Sequence, residues 1–153
     1  MPFKLIASIS IIYSKFITIC NSLTPLLLLI LRLWMAHIFW VSGTLKIEDF
    51  DNTISLFRDE YQVPLLPPLF AAVIATIFEL ACPLLLTLGL ATRLATLPLL
   101  AMTATIQFTY DQNIQHAYWA MLLGVILCSG AGRISADYRL TRHWGKLKSN
   151  DYN

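Results

Sequence analysis

Charge is scarce in this sequence. Asp, Glu, Lys and Arg make up 13% of its 153 residues, while 57% are hydrophobic. A soluble domain carries about a quarter charged residues, so an ordinary water-soluble enzyme or binding module is excluded. Disorder is excluded too, because it needs low hydrophobicity and high net charge. A net charge of +2 is too small to suggest nucleic acid as a partner. Cysteine is also sparse: Cys20, Cys82 and Cys128 are scattered and form no C-x-x-C pair. That argues against a disulfide framework, a zinc site or a free-standing thiol oxidoreductase, whose chemistry needs a paired dyad. H-E-x-x-H, Walker A, G-x-S-x-G and G-x-G-x-x-G motifs are absent. The two halves show no internal repeat of the kind many transporters carry.

What the chain has instead is long apolar runs. A helix needs about 20 mostly apolar residues to cross roughly 30 Å of hydrocarbon, and four stretches qualify. They run from about Thr24 to Leu45, Pro68 to Leu90, Thr92 to Tyr110 and Ile114 to Gly132. Pro25 suits the opening turn of the first, and the Pro64, Pro67 and Pro68 cluster precedes the second. The short turns between the later spans make them antiparallel neighbours. The expected fold is an all-α integral membrane protein, an antiparallel four-helix transmembrane bundle of residues 24–138. An N-terminal amphipathic, interfacial helix (1–23) precedes it and a basic cytoplasmic tail (139–153) follows. In the first segment Lys4, Ser8, Lys15, Thr18 and Ser22 form a polar stripe opposite Leu5, Ile9, Ile12, Phe16 and Ile19. That pattern fits a helix lying at the interface better than a signal peptide.

Lysines and arginines near span ends set topology. Arg93, Arg133, Arg139, Arg142, Lys146 and Lys148, with Lys4 and Lys15, lie on one side; Lys46 and Arg58 lie on the other. Both termini are therefore expected in the cytoplasm. Glu48, Asp49, Asp51, Asp59 and Glu60 make the first loop the acidic outer face.

Two charges fall well inside spans, Arg32 and Glu79. Each costs a few kcal/mol at a helix centre unless paired or wet. Counted from the assumed span ends their depths are similar, which predicts an Arg32–Glu79 ion pair. Arg32, Ala36, Phe39, Gly43 and Lys46 share one helix face, and the small residues on it admit a close neighbour. Pro83 cannot donate to the carbonyl of Glu79, so a kink at the acid is expected. His37 and Gln107 extend a polar path toward Lys46, while His116, with Tyr118 and Trp119, reads as an interface anchor. Three readings stay open: a structural pair, a site for a quinone or similar amphipathic ligand, and a proton path.

The residues Leu31-Arg32-Leu33, Val41-Ser42-Gly43-Thr44-Leu45-Lys46, Phe78-Glu79-Leu80, Leu88-Gly89-Leu90-Ala91-Thr92-Arg93 and Gly130-Ala131-Gly132-Arg133-Ile134-Ser135-Ala136-Asp137, taken in order, resemble the DoxX family of small bacterial membrane proteins. The resemblance implies a four-helix protein of the bacterial inner membrane, with Arg32, Gly43, Lys46, Glu79, Arg93 and Asp137 on the family's polar and glycine signature. Relatives include the small subunit of a thiosulfate:quinone oxidoreductase and members of oxidative-stress complexes. The resemblance therefore implies an accessory subunit without stand-alone catalysis, with membrane lipids and a redox or stress-response protein as partners and quinone as its cofactor. An oligomer is compatible with it. The competing expectations are a small transporter handling protons or metal ions, and a structural assembly factor. The basic tail, with Trp144, is expected to meet anionic headgroups or a cytoplasmic partner.

Overall fold

The computed structural model describes residues 2–61, 66–109 and 114–150, and their secondary structure is entirely helical. Helix α1 spans Pro2–Glu48, α2 Phe50–Leu56, α3 Pro68–Leu88, α4 Thr92–Thr109, α5 Ile114–Ser129 and α6 Ala136–Asn150. A single π-helical turn, Phe57–Tyr61, continues α2. Pro64 lies outside the described residues, as do the side chains of Lys4, Ser8, Trp144, Lys146 and Lys148.

The four long apolar runs are all helices, but their boundaries differ from expectation at the first. Pro25 opens no turn; it sits inside one uninterrupted 47-residue helix. At 1.5 Å per residue α1 is about 70 Å long, more than twice the thickness of a hydrocarbon core. Residues 10–24 are exposed along their whole length, and burial begins near Leu28. Four hydroxyls of this extension, those of Thr18 and Ser22 in the expected stripe among them, bond back to their own helix. Ser14 donates to the carbonyl of Ile11, Thr18 to Ser14, Ser22 to Thr18 and Ile19, and Thr24 to Cys20, all between 2.8 and 3.0 Å. The expected tail is likewise structured: Ser135 caps α6, its Oγ accepting from the amide of Tyr138 at 3.1 Å.

Helix α1 packs against α3 and α5, α3 against α4, and α4 against α5, while α2 and its π turn rest on α3. The register of α1 on α3 is antiparallel. A Cβ on Gly43 would lie 3.1 Å from that of Glu79, whereas Arg32 reaches Gly89. The face predicted for α1 is buried: Arg32, Ala36, Phe39 and Gly43 all point inward, and Lys46 is half-buried.

Met35, Phe39, Leu86, Leu99, Leu123 and Ile126 form the core, and large apolar side chains cover the exterior as well. Buried positions include Ala36, Ala71, Ala72, Ala75 and Ala95 with Thr76, Thr96 and Thr103, whereas Ile30, Trp34, Leu69, Phe70, Ile77, Leu84, Leu88, Leu94, Leu97 and Met121 are exposed. A continuous apolar exterior of that size is incompatible with water. The small residues among the buried positions let helices approach closely, as packing in lipid favours. α1 and α3 are long and apolar enough to cross a membrane, and α5 is a shorter apolar helix.

Candidate functional site

At the α2 end of the helices, the Lys46 ammonium donates to both oxygens of Glu79, at 3.0 and 2.7 Å, and to Ser42 Oγ at 2.8 Å. Only 13% of the Lys46 side chain and 4% of that of Glu79 are accessible. Ser42 and Lys46 lie one turn apart on α1, so a single helix face aims both at the acid on α3. Close approach makes this contact possible. Gly43 leaves so little room that an added Cβ would lie 3.0 Å from Leu80 Cδ2.

The expected Arg32–Glu79 pair does not form. Eleven residues, about 16 Å of helix rise, separate Arg32 from Gly43, the position that faces Glu79. The depths counted from sequence failed because α1 neither starts at Thr24 nor stops at Leu45. Glu79 therefore meets the next cation along the predicted face, Lys46.

Arg32 belongs instead to the α6 end. It is 1% exposed, and its Nη2 donates to the carbonyl of Ile134 at 2.6 Å. Around it the connections interlock. Helix α3 ends in a Schellman motif, with the amide of Leu90 on the carbonyl of Leu85 at 2.9 Å and that of Gly89 on Leu86 at 3.2 Å. The Asp137 carboxylate accepts from the amides of Ala91 and Thr92 at 2.7 and 3.0 Å, capping α4 from a different helix. The Asp137 amide donates to the carbonyl of Gly89 at 2.9 Å. Arg93 Nη2 donates to the carbonyl of Cys128 at 3.1 Å, on the last turn of α5. Arg32, Gly89, Arg93 and Asp137 thus fasten the helix ends to one another, while Nε and Nη1 of the buried Arg32 have no hydrogen-bond partner.

A cavity of about 220 Å³ opens beside the Lys46–Glu79 pair. Phe57 and Tyr61 from the π turn, Ala75 and Phe78 from α3, and Pro98 and Ala101 from α4 form much of its wall. Phe57 and Tyr61 meet edge to face, with centroids 5.0 Å apart. Leu66, Ile74 and Phe78 in its wall are exposed, so the cavity opens onto the apolar exterior. A second cavity of about 230 Å³, lined by Ser42, Thr103, His116 and Trp119 among others, also has Glu79 in its wall.

Among the candidates from sequence, Lys46 and Glu79 come together and Arg32 stands apart. His37 is exposed on the outer side of α1. It is absent from the walls of both cavities, so the expected polar path through it has no counterpart there. Gln107 is half-buried on α4, outside those walls, with Oε1 buried and unpartnered. Pro83 lies within α3, which continues unbroken to Leu88. Sequence reasoning missed Ser42, Phe57 and Tyr61. The only signal for the last two was the aromatic pair at i, i+4 in a loop otherwise read as acidic.

An apolar exterior, an apolar core with small residues at the close helix contacts and, among the described residues, a buried Lys46–Glu79 ion pair between the helices define an integral membrane protein. The DoxX family model matches residues 27–112, and the chain belongs to that family. The match contains Arg32, Lys46 and Glu79 and ends before α5. No curated protein and no solved structure matches the chain.

Proposed function

We propose that this protein is a four-helix transmembrane accessory subunit that offers a lipid-accessible, quinone-type site to a redox or stress-response partner. In this reading α1, α3, α4 and α5 cross the bilayer as an antiparallel bundle. Both termini face the cytoplasm, following the excess of lysine and arginine at the α6 end. The exposed extension of α1 and the basic face of α6 serve the membrane interface or the partner. The observation that carries the proposal is the cavity that opens onto the apolar exterior, with aromatic walls and one polar end. At about 220 Å³ it is smaller than the roughly 300–1,000 Å³ of sites for drug-sized ligands. It suits a single ring system whose tail remains in the lipid.

Ala101 is exposed and forms part of the cavity wall, so a large side chain there fills the mouth without disturbing the core. Naphthoquinone and naphthohydroquinone are expected to bind the detergent-purified protein. Ala101→Phe should weaken binding of the couple by about tenfold or more while leaving the melting temperature in place. Equal binding by the variant would remove the site from this cavity.

A second reading, proton or ion handling, is favoured by one observation: Glu79 stands in the walls of both cavities. Its expected result is proton flux into proteoliposomes that stops in Glu79→Gln. Proteoliposomes that show no flux would remove this reading.

A further inference from the structure

The α6 end of the molecule holds a cleft of a different kind. It measures about 510 Å³ and lies where α4 begins, α5 ends and the connection 130–135 leads into α6. Arg93 and Arg133, both exposed, and Asp137 supply the charge in its wall. Their placement follows from close backbone approaches. Gly130 and Gly132 have φ of +74° and +75°, a region that costs a residue with a Cβ. A Cβ added to Gly132 would lie 3.1 Å from Leu28 Cδ1 on α1, and one added to Gly130 would lie 3.3 Å from Arg93 Nε on α4. The connection is thus seated against two helices, and it carries Arg133 into the same wall as Arg93. Arg93 spends a donor on the carbonyl of Cys128, out of the five that a guanidinium has. Among the described residues neither arginine forms an ion pair. The oxygens of Asp137 are engaged by the amides of Ala91 and Thr92, and one carboxylate against two guanidinium groups leaves the wall positive. The Thr92 hydroxyl, in that wall, is buried without a hydrogen-bond partner.

We infer that this cleft binds the headgroup of an anionic phospholipid, with Arg93 and Arg133 on the phosphate oxygens and the acyl chains on the neighbouring apolar surface. Planar guanidinium groups match phosphate geometry and form charge-assisted hydrogen bonds to it. Basic pockets between transmembrane helices are where such headgroups lodge. The level in the molecule is right, because the cleft lies at the ends of α4 and α5, where apolar helix gives way to charged connections. Leu94 in its wall is 70% exposed, and Leu97, three residues further into α4, is exposed as well. Hydrocarbon chains therefore have an apolar surface to follow away from the arginines. A free phosphate would meet the same arginines but leave Leu94 and Leu97 uncovered, so the lipid is the occupant this surface favours. The cleft is at the opposite end of the helices from the cavity beside Lys46 and Glu79, and the inference does not depend on the quinone-type reading.

The test titrates dioleoylphosphatidylglycerol and zwitterionic dioleoylphosphatidylcholine into the full-length protein in mild detergent and counts bound lipid by native mass spectrometry. The anionic lipid is expected to bind at least about fivefold tighter, and Arg133→Gln should lower its affinity by about fivefold, the usual share of one basic residue near a membrane surface. Arg139 and Arg142 on α6 are also exposed but lie outside the cleft wall. The double variant Arg139→Gln/Arg142→Gln should therefore keep the preference, which a merely diffuse attraction between basic surface and anionic lipid would not. A loss in that double variant as large as in Arg133→Gln, or no loss in Arg133→Gln, would overturn the site. Equal binding of the two lipids by the unmodified protein would overturn it as well. Glycerol 3-phosphate serves as competitor: if it displaces the anionic lipid at equal concentration, the cleft takes a soluble phosphate ester and the lipid assignment fails. Arg93→Gln should weaken binding to a similar degree, but it also releases the carbonyl of Cys128. Arg133 is exposed and outside the helices, so Arg133→Gln decides the matter even if Arg93→Gln does not fold.

Discussion

Lys46→Met alone is expected to destabilise the protein by about 3–5 kcal/mol, the usual cost of leaving one member of a buried ion pair uncompensated. Glu79 sits in the middle of α3 with 4% of its side chain accessible. Glu79→Leu should cost less. Lys46 lies two residues from the end of α1, and its long stem can carry the ammonium outward to the interface. The double variant Lys46→Met/Glu79→Leu replaces the pair with apolar side chains of similar size. It should recover most of the loss, because well-packed hydrophobic replacements of buried pairs are often neutral or stabilising. Melting temperatures of the four proteins in one detergent check this. The same proteins separate structure from function: a double variant that is stable but binds no hydroquinone assigns the pair to a site. One that is stable and binds normally reduces the pair to a helix-pairing device. Additive losses in the double variant would contradict direct coupling of the two residues.

Much of this architecture was legible in the sequence because lipid makes simple demands. The runs beginning at Pro68, Thr92 and Ile114 became helices starting at those residues. The face containing Arg32, Ala36, Phe39 and Gly43 was legible from helical periodicity alone, and it is buried. Pairing across helices was less accessible. Whether Glu79 meets Arg32 or Lys46 depends on register, and register depends on where α1 starts and stops. Pro25 suggested a start, yet a proline removes a single hydrogen bond from a helix that keeps its others, and α1 runs through it. The stripe before it read as polar because sequence does not reveal that the hydroxyls of Thr18 and Ser22 are spent on their own helix's carbonyls. Asp137 was recognisable as part of a signature, but its role was not. Capping α4 from α6 is a contact between residues 45 and 46 positions apart, and no local pattern encodes it.

The other large effect belongs to the opposite end of the molecule, at Gly89. Gly89→Ala is expected to cost about 3 kcal/mol or more, from two separable causes. The first is conformational: φ is +67°, and a left-handed backbone costs an L-residue with a Cβ roughly 1–2 kcal/mol. The second is spatial, because an added Cβ would collide with Arg32 Nη1 and lie 2.6 Å from the Cβ of Ser135. Arg32 cannot swing aside cheaply. It is 1% exposed, and its Nη2 holds the carbonyl of Ile134, so moving it breaks a charge-assisted hydrogen bond. Ser135 is fixed as the cap of α6, with Oγ donating to the carbonyl of Gly132 at 2.6 Å and accepting from Tyr138. Gly89→Asn separates the two causes, since asparagine tolerates the left-handed region but carries the same Cβ. If Gly89→Asn melts as low as Gly89→Ala, the close approach of Arg32 and Ser135 dominates; if it melts near wild type, backbone conformation does. The collision predicts the first outcome. Because Gly89 lies at the far end of α3 from the α2-side cavity, whatever fraction of either variant folds should bind hydroquinone with unchanged affinity. Weakened binding by the folded fraction would show instead that the two ends of the helices are mechanically coupled.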